Sequence, residues 1–247
     1  MEIHRDTTVH IRLHLPRSPV RPAGQSDQHS GGEMSVQIGQ GASPSNAADT
    51  PTEHNVTAIV AARICHDLIS PIGAIGNGLE LLSLSHGSTP EMALLSESVT
   101  GANCRIRLFR LAFGAPGNGQ AIAARDMQGL LRDFGLGGRT SYSWEVAEDL
   151  PRSEVQCALL ALLCVDAALP QGGTVAVRHG AGRWSVSGRG RALRLVDGLF
   201  GVLDGTATGA QITPATVQFL LFPGALERLG RPLTVRACCE NGVDLSF

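Results

Sequence analysis

The 247-residue chain contains no lysine: all 20 of its basic residues are arginine. That absence excludes a phosphate-loop lysine, the strand lysine of protein kinases, and any Schiff-base lysine for pyridoxal phosphate or carbonyl substrates. Lys-poor, Arg- and Gly-rich chains are the usual product of GC-rich coding sequence, and the chemical exclusion holds whatever the origin. Charge is also sparse, with 17% charged residues against about 25% in an average domain. The formal net charge is −2, so no basic field points to nucleic acid or to an anionic membrane. No uninterrupted run of 18 or more apolar residues occurs and the N-terminus lacks an apolar signal core, so no membrane span is expected. Paired cysteines are missing too. Cys65, Cys104, Cys157, Cys164, Cys238 and Cys239 form no Cys-x-x-Cys, so the expectation is buried reduced thiols, no metal site and a cytoplasmic location.

What is present divides the chain into three parts. Residues 1–49 are rich in Gly, Ser, Pro, Gln and His, without helical periodicity, a composition that predicts disorder. Within it only Thr8–Leu15 alternates like a strand, with no obvious partner, and Met34 suggests that residues 1–33 are an over-extended start.

Residues 50–116 read as a helical hairpin. Thr50-Pro51-Thr52-Glu53 forms a capping box, and apolar residues then recur at Val56, Val60, Ile64, Leu68, Ile72, Ile75, Leu79 and Leu82, one helical face. Ser88-Thr89-Pro90-Glu91 repeats the capping signal, and Met92, Leu95, Val99, Ala102, Ile106, Phe109 and Phe113 follow a heptad seam. A hairpin alone buries too little, and a continuous seam asks for a second pair of helices. The expected completion is a dimeric four-helix bundle.

Residues 120–247 change to alternating strands and helices. The patterns predict helices near 124–134, from Ser153 to Leu169 and from Thr213 to Leu229. Strands are expected near 140–147, 173–179, 183–188, 232–238 and 243–247, as a small sheet covered on one side by helices. The fold class is therefore α+β.

One residue on the first helix does not fit a stability argument. His66 points away from the apolar stripe, beside Ala62, Arg63, Ser70, Gly73 and Asn77. A histidine on a solvated helix face is usually only solvated. Here, however, an acid follows it and Pro71 interrupts the hydrogen-bond ladder at Asp67, predicting a bend. Gly73 and Gly76 each cost the helix about 1 kcal/mol relative to Ala. Folding the hairpin back brings Arg105, Arg107 and Arg110 near the level of His66, where they could meet phosphate or simply solvate the bundle.

His66-Asp67-Leu68-Ile69-Ser70-Pro71 resembles the H-box of two-component dimerisation and phosphotransfer domains. Together with HDLISPIGAIGNGLELL at 66–82, LFRLAFGA at 108–115, ALPQGGTV at 168–175 and TPATVQFLL at 213–221, it resembles the ChpT-type histidine phosphotransferases. The resemblance implies a homodimer whose four-helix bundle carries a phosphorylatable His66, followed by a degenerate histidine-kinase-ATPase-like α/β sandwich. It implies that His66 takes a phosphoryl group from the receiver domain of a hybrid histidine kinase and passes it to response regulators. Asp67 would accept a hydrogen bond from the other ring nitrogen, a contact that needs favourable rotamers because adjacent helix residues do not face each other. Ser70 and Pro71 complete the motif, and Arg63, Gly73, Asn77, Arg105, Arg107 and Arg110 are candidate contacts to partner or phosphate. No cofactor is expected on this chain, and Mg²⁺ would come with the receiver.

An active ATPase of that superfamily needs two Asn four apart, an Asp-x-Gly-x-Gly loop and a Gly-x-Gly lid. Leu162 and Asp166 stand at the two Asn positions, Ser187-Gly188-Arg189-Gly190 lacks the carboxylate, and Gly205–Gly209 lacks the lid spacing. No ATP binding is therefore expected. The competing readings are an ATP-dependent sensor-type histidine kinase and a non-catalytic dimeric adaptor.

Overall fold

The structure is a computed structural model describing residues 11–12, 53–115, 119–195, 198–203, 211–238 and 242–247. The expected cap at 50–52, the lid candidate at 205–209 and Cys239 lie outside the described residues, as does segment 1–49 except Ile11 and Arg12. Helix α1 spans Glu53–His86 and runs unbroken through Pro71, and α2 spans Pro90–Phe113. The second capping signal acts as its residues require. Pro90 opens α2, and the Thr89 hydroxyl accepts a hydrogen bond from the Met92 amide at 3.3 Å.

The two helices form an antiparallel hairpin, but among the described residues only Ile72 and Leu79 of the apolar stripe take part in their packing. On α1 the face turned to α2 carries buried Cys65 and Leu79, with half-buried Ile69, Ile72 and Gly76 between them. A Cβ on Gly76 would sit 3.4 Å from a Val99 methyl. That glycine therefore lies at the contact between the helices. Val60, Ile64, Leu68, Ile75 and Leu82 face outwards, with Leu95 and Phe109 of α2. By length and composition alone, Ala58–His86 is long and apolar enough to cross a membrane. The helix is nonetheless two-sided, since Arg63, His66, Asp67, Ser70 and Asn77 are also exposed.

The opposite side of α2 belongs to the second part. Cys104, Leu108 and Ala112 enter one core with α3 (Ala124–Gly135) and α4 (Arg152–Ala167). Helix α4 is apolar around its whole circumference because it is buried continuously from Val155 to Val165. It packs against the sheet, against α2 and against α6 (Gln218–Leu229).

The sheet contains β1 (Ile11–Arg12), β3 (Thr140–Glu145), β5 (Gly173–Gly180), β6 (Arg183–Gly190), β7 (Thr234–Cys238) and β8 (Gly242–Ser246) once a short ribbon, β2 (Ala121–Ile122) with β4 (Leu150–Pro151), is set apart. Its order is β1-β7-β8-β6-β5-β3. Only β3 and β5 pair in parallel, joined through α4 as a parallel connection requires. The β5–β6 hairpin turns at Ala181 and Gly182, both at positive φ, the geometry that matches strand twist. Val175, Val177, Trp184, Val186, Val243 and Leu245 point into the core. The other face is polar, with a bidentate Arg178–Glu145 pair at 2.7 and 3.0 Å.

The expected elements are present with ends shifted by a few residues. Three details differ. The last helix is split, with a 3-10 turn at Pro214–Thr216 preceding α6. The alternating segment near residues 8–15 contributes a pair, Ile11 and Arg12, to the edge of β7. Short α5 (Leu199–Leu203) and the β2–β4 ribbon are too brief to leave a periodic signal.

The hairpin is fastened to the α/β part at the end of α2, whose last carbonyls lack helical partners. Buried Gln156 of α4 donates to Ala112 O at 3.2 Å and Gly114 O at 2.6 Å. Arg152 donates to Arg110 O at 3.0 Å and Ala115 O at 3.1 Å. Two side chains from the next domain thus serve as the C-terminal cap of α2.

Candidate functional site

Near the middle of α1 the outer face carries the H-box residues. The His66 side chain is 81% exposed, and its Nδ1 lies 3.2 Å from Oδ1 of Asp67. The expected contact between neighbours is therefore made. The Arg63 Nε, one turn earlier, donates to the other oxygen, Oδ2, at 2.8 Å. The hydrogen bond to His66 and then the Arg63 guanidinium hold the Asp67 carboxyl below the usual carboxylate range.

An ionised carboxylate can only accept, so the shared proton resides on Nδ1 of His66. In the neutral imidazole Nε2 is then the nitrogen without a proton, on an open surface. Arg63, Asp67 and His66 form a connected chain that ends in an exposed imidazole. Ser70, Pro71 and Asn77 are exposed along the same helix, and nothing lies within 4 Å of the place a Gly73 Cβ would occupy. The surface around His66 is low, which leaves space for another protein to approach.

Of the three α2 arginines, Arg110 is the one whose charge reaches the neighbourhood of this group. Its charge acts on Cys65, the residue before His66, and partly offsets the burial that pushes that thiol up. Together with the Gly76–Val99 contact, this sets a register that places His66 level with Phe109 and Arg110. Arg107 is exposed on α2. Arg105 turns to the α/β domain, with its guanidinium 5.9 Å from the Phe134 ring centre, at a cleft lined also by Arg139, Tyr142 and Asp166.

The positions expected to resemble a nucleotide site are occupied by structural contacts. Leu162 is fully buried in the core. Asp166 accepts a hydrogen bond from the Tyr142 hydroxyl at 2.8 Å, and burial, with the charge of Asp166, pushes that phenol up. Arg189, in the loop sequence lacking a carboxylate, forms a bidentate pair with Asp244 at 2.9 Å for both contacts. Among the described residues, no three His, Cys, Asp or Glu side chains are grouped to hold a metal ion. Cys65, Cys104, Cys157 and Cys164 are buried free thiols.

Two features were missed in the sequence. The Arg63–Asp67 pair was open to detection, since residues four apart share a helix face. Gln156 left a signal as well, as the single amide in the apolar stretch Val155–Val165.

Comparison with known proteins gives a consistent result. A family model described as the histidine phosphotransferase C-terminal domain matches residues 124–240. Protein phosphotransferase ChpT of Brucella abortus (strain 2308) is 34% identical over 190 residues, which span 74% of this chain and 91% of that protein. The solved structure of a bacterial phosphotransferase matches at 30% identity with a TM-score of 0.57, covering 78% of this chain and 95% of that one.

Proposed function

The chain belongs to the ChpT-type histidine phosphotransferases, enzymes of the phosphorelay, and on that premise we propose that His66 is the residue that carries the phosphoryl group. The observation that carries this reading is the Asp67 contact to Nδ1 on a side chain that is 81% exposed, which in the neutral imidazole leaves Nε2 as the accessible nitrogen without a proton.

In the proposed step the Nε2 lone pair attacks the phosphorus of an aspartyl phosphate on the receiver domain of a hybrid histidine kinase. The N–P bond forms as the bond from phosphorus to the acyl oxygen breaks, and the receiver's carboxylate departs with that electron pair. The ring gains positive charge, which Asp67 stabilises through Nδ1–H. Attack by the carboxylate of a response regulator reverses these events. Mg²⁺ belongs to the receivers in this scheme, and the chain itself needs no cofactor. Ser70, Pro71, Gly73 and Asn77 border the approach, and Arg107 and Arg110 are the α2 cations best placed to meet the receiver or its phosphate.

The protein acts as a homodimer in this reading. Exposed Ile64, Leu68, Ile75 and Leu82, with Leu95 and Phe109, form the seam on which a second hairpin would complete a four-helix bundle. A lipid-facing helix would be apolar all round, and α1 is not, which favours a soluble cytoplasmic dimer over a membrane span.

The α/β part serves as a degenerate ATPase-like docking domain that binds no nucleotide. Leu162, Asp166 and Arg189 are committed to core packing, to Tyr142 and to Asp244. A nucleotide held there would also have to be carried to His66, and the Gln156 and Arg152 clamp on α2 opposes that movement.

The test is to incubate wild-type and His66→Ala protein with a phosphorylated receiver domain, and separately with labelled ATP. Acid-labile phosphate on the wild type from the receiver alone is expected. Labelling from ATP without a receiver would favour the kinase instead, and transfer unaffected by His66→Ala would favour an adaptor.

A further inference from the structure

We propose that Arg63 is a positioning residue for phosphoryl transfer: it fixes the Asp67 carboxylate in the rotamer that accepts the Nδ1 proton of His66, so that Nε2 is held as the nucleophile. The inference rests on His66 as the phosphate carrier.

Consecutive residues stand about 100° apart around a helix, so the Asp67 carboxylate reaches the His66 ring only by leaning sideways. An exposed side chain has several rotamers of similar energy. One of them is selected here because each carboxylate oxygen has a single partner, Oδ2 at 2.8 Å from Arg63 Nε and Oδ1 at 3.2 Å from His66 Nδ1.

The tautomer has to be imposed. A free neutral imidazole side chain favours its proton on Nε2, the atom that must be bare for attack, and the bond made by the other nitrogen decides between them. A partner that orients an imidazole in turn needs orienting, and Arg63 supplies this.

Helix stability does not account for the pair. Acid first and base four residues later is the stabilising order, and here it is reversed. Both side chains are also well exposed, 74% for Arg63 and 49% for Asp67, where an ion pair adds little to folding.

The experiment uses the full chain and phosphoramidate, a small phosphodonor that transfers its phosphoryl group to an unprotonated imidazole nitrogen with loss of ammonia and requires no receiver; uptake is read at His66. His66 ring nitrogens are followed by NMR in wild type, Arg63→Ala, Arg63→Lys, Asp67→Asn, Arg63→Ala/Asp67→Asn and His66→Ala. In Arg63→Ala the ring proton is expected to redistribute from Nδ1 toward Nε2 and phosphorylation to slow about two- to fivefold, the range one exposed ion pair supports. Arg63→Lys is expected to restore most of both. In the Asp67→Asn background Arg63→Ala is expected to add nothing.

An unchanged tautomer and rate in Arg63→Ala would overturn the proposal. So would an Arg63→Ala effect that persists without the Asp67 carboxylate, since that would mean Arg63 acts on the donor or the phosphate directly. His66→Ala separates the two levels. If that variant still acquires acid-labile phosphate from a phosphorylated receiver domain, the reading of His66 fails. If it does not, while Arg63→Ala behaves as wild type, only the role of Arg63 fails.

Discussion

At the scale of single residues, the protein solves a problem of proton placement. Imidazole is a useful phosphate carrier only with its proton on the nitrogen away from phosphorus, and in the proposed mechanism the Asp67 contact at Nδ1 enforces this. Asp67→Asn keeps the size and removes the charge, and phosphotransfer is expected to fall about 10- to 100-fold, as when an imidazole loses the partner that orients it. Transfer kinetics at fixed receiver concentration check this. The same contact sets a pH dependence. The Asp67 carboxyl lies below its usual range, so its bond to His66 is in place above the ordinary carboxylate range and is lost as pH falls through the lowered value. Titration of the Asp67 carboxyl carbon by NMR is expected to give a midpoint below that of an unpaired aspartate. A midpoint at the ordinary value would contradict the geometry. His66 and Asp67 were legible because their motif is local. The part played by Arg63 was not, because i,i+4 ion pairs are common and only coordinates show which carboxylate oxygen each partner takes.

The elements show where sequence periodicity is informative and where it misleads. The stripe from Val60 to Leu82 marks α1 correctly as a helix, yet within the chain most of it (Val60, Ile64, Leu68, Ile75 and Leu82) faces outwards, and the hairpin closes on Cys65, Ile72, Gly76 and Leu79. Periodicity reports that a face is apolar, not which surface covers it. The two glycines of α1 consequently differ. Gly73→Ala meets nothing within 4 Å and is expected to raise stability by roughly 0.5–1 kcal/mol through helix propensity. Gly76→Leu pushes against Val99 and is expected to cost about 1–3 kcal/mol through overpacking. Urea denaturation of both variants checks the pair of signs. Helix α4 was readable for the opposite reason, since a helix buried on all sides is apolar on all sides. Its Gln156 is the exception, with a packed use. Gln156→Leu leaves the Ala112 and Gly114 carbonyls without that donor and is expected to cost about 1–3 kcal/mol. Faster hydrogen exchange near residues 110–115 in that variant would show the hairpin loosening from the domain.

For the whole molecule, the proposed relay has phosphate arriving on another protein, and the commitment of Leu162, Asp166 and Arg189 to core packing, Tyr142 and Asp244 supports that reading. In the proposed relay a receiver is held with its aspartyl phosphate in line with His66, which calls for a fixed surface rather than a mobile ATP-carrying domain. The hydrogen bonds from Arg152 and Gln156 to the end of α2 support that reading. The apolar seam provides the second half of the bundle in the proposed dimer. Ile75→Asp, at a position 55% exposed in the single chain, is expected to shift sedimentation from dimer to monomer, whereas an unchanged dimer would remove this seam from the interface. The order of strands and helices was readable from alternation and caps. The pairing of Ile11 and Arg12 with β7 was not, because a short edge strand carries no mark of its partner.

The central claim is that Nε2 of His66, released by the Asp67 contact to Nδ1, carries the phosphoryl group. Phosphorus–nitrogen NMR on the full chain after transfer from a phosphorylated receiver tests it most directly. The account predicts one phosphohistidine, at residue 66, with phosphorus bonded to Nε2 and the proton on Nδ1. Phosphorus on Nδ1, or on any other residue, would contradict it.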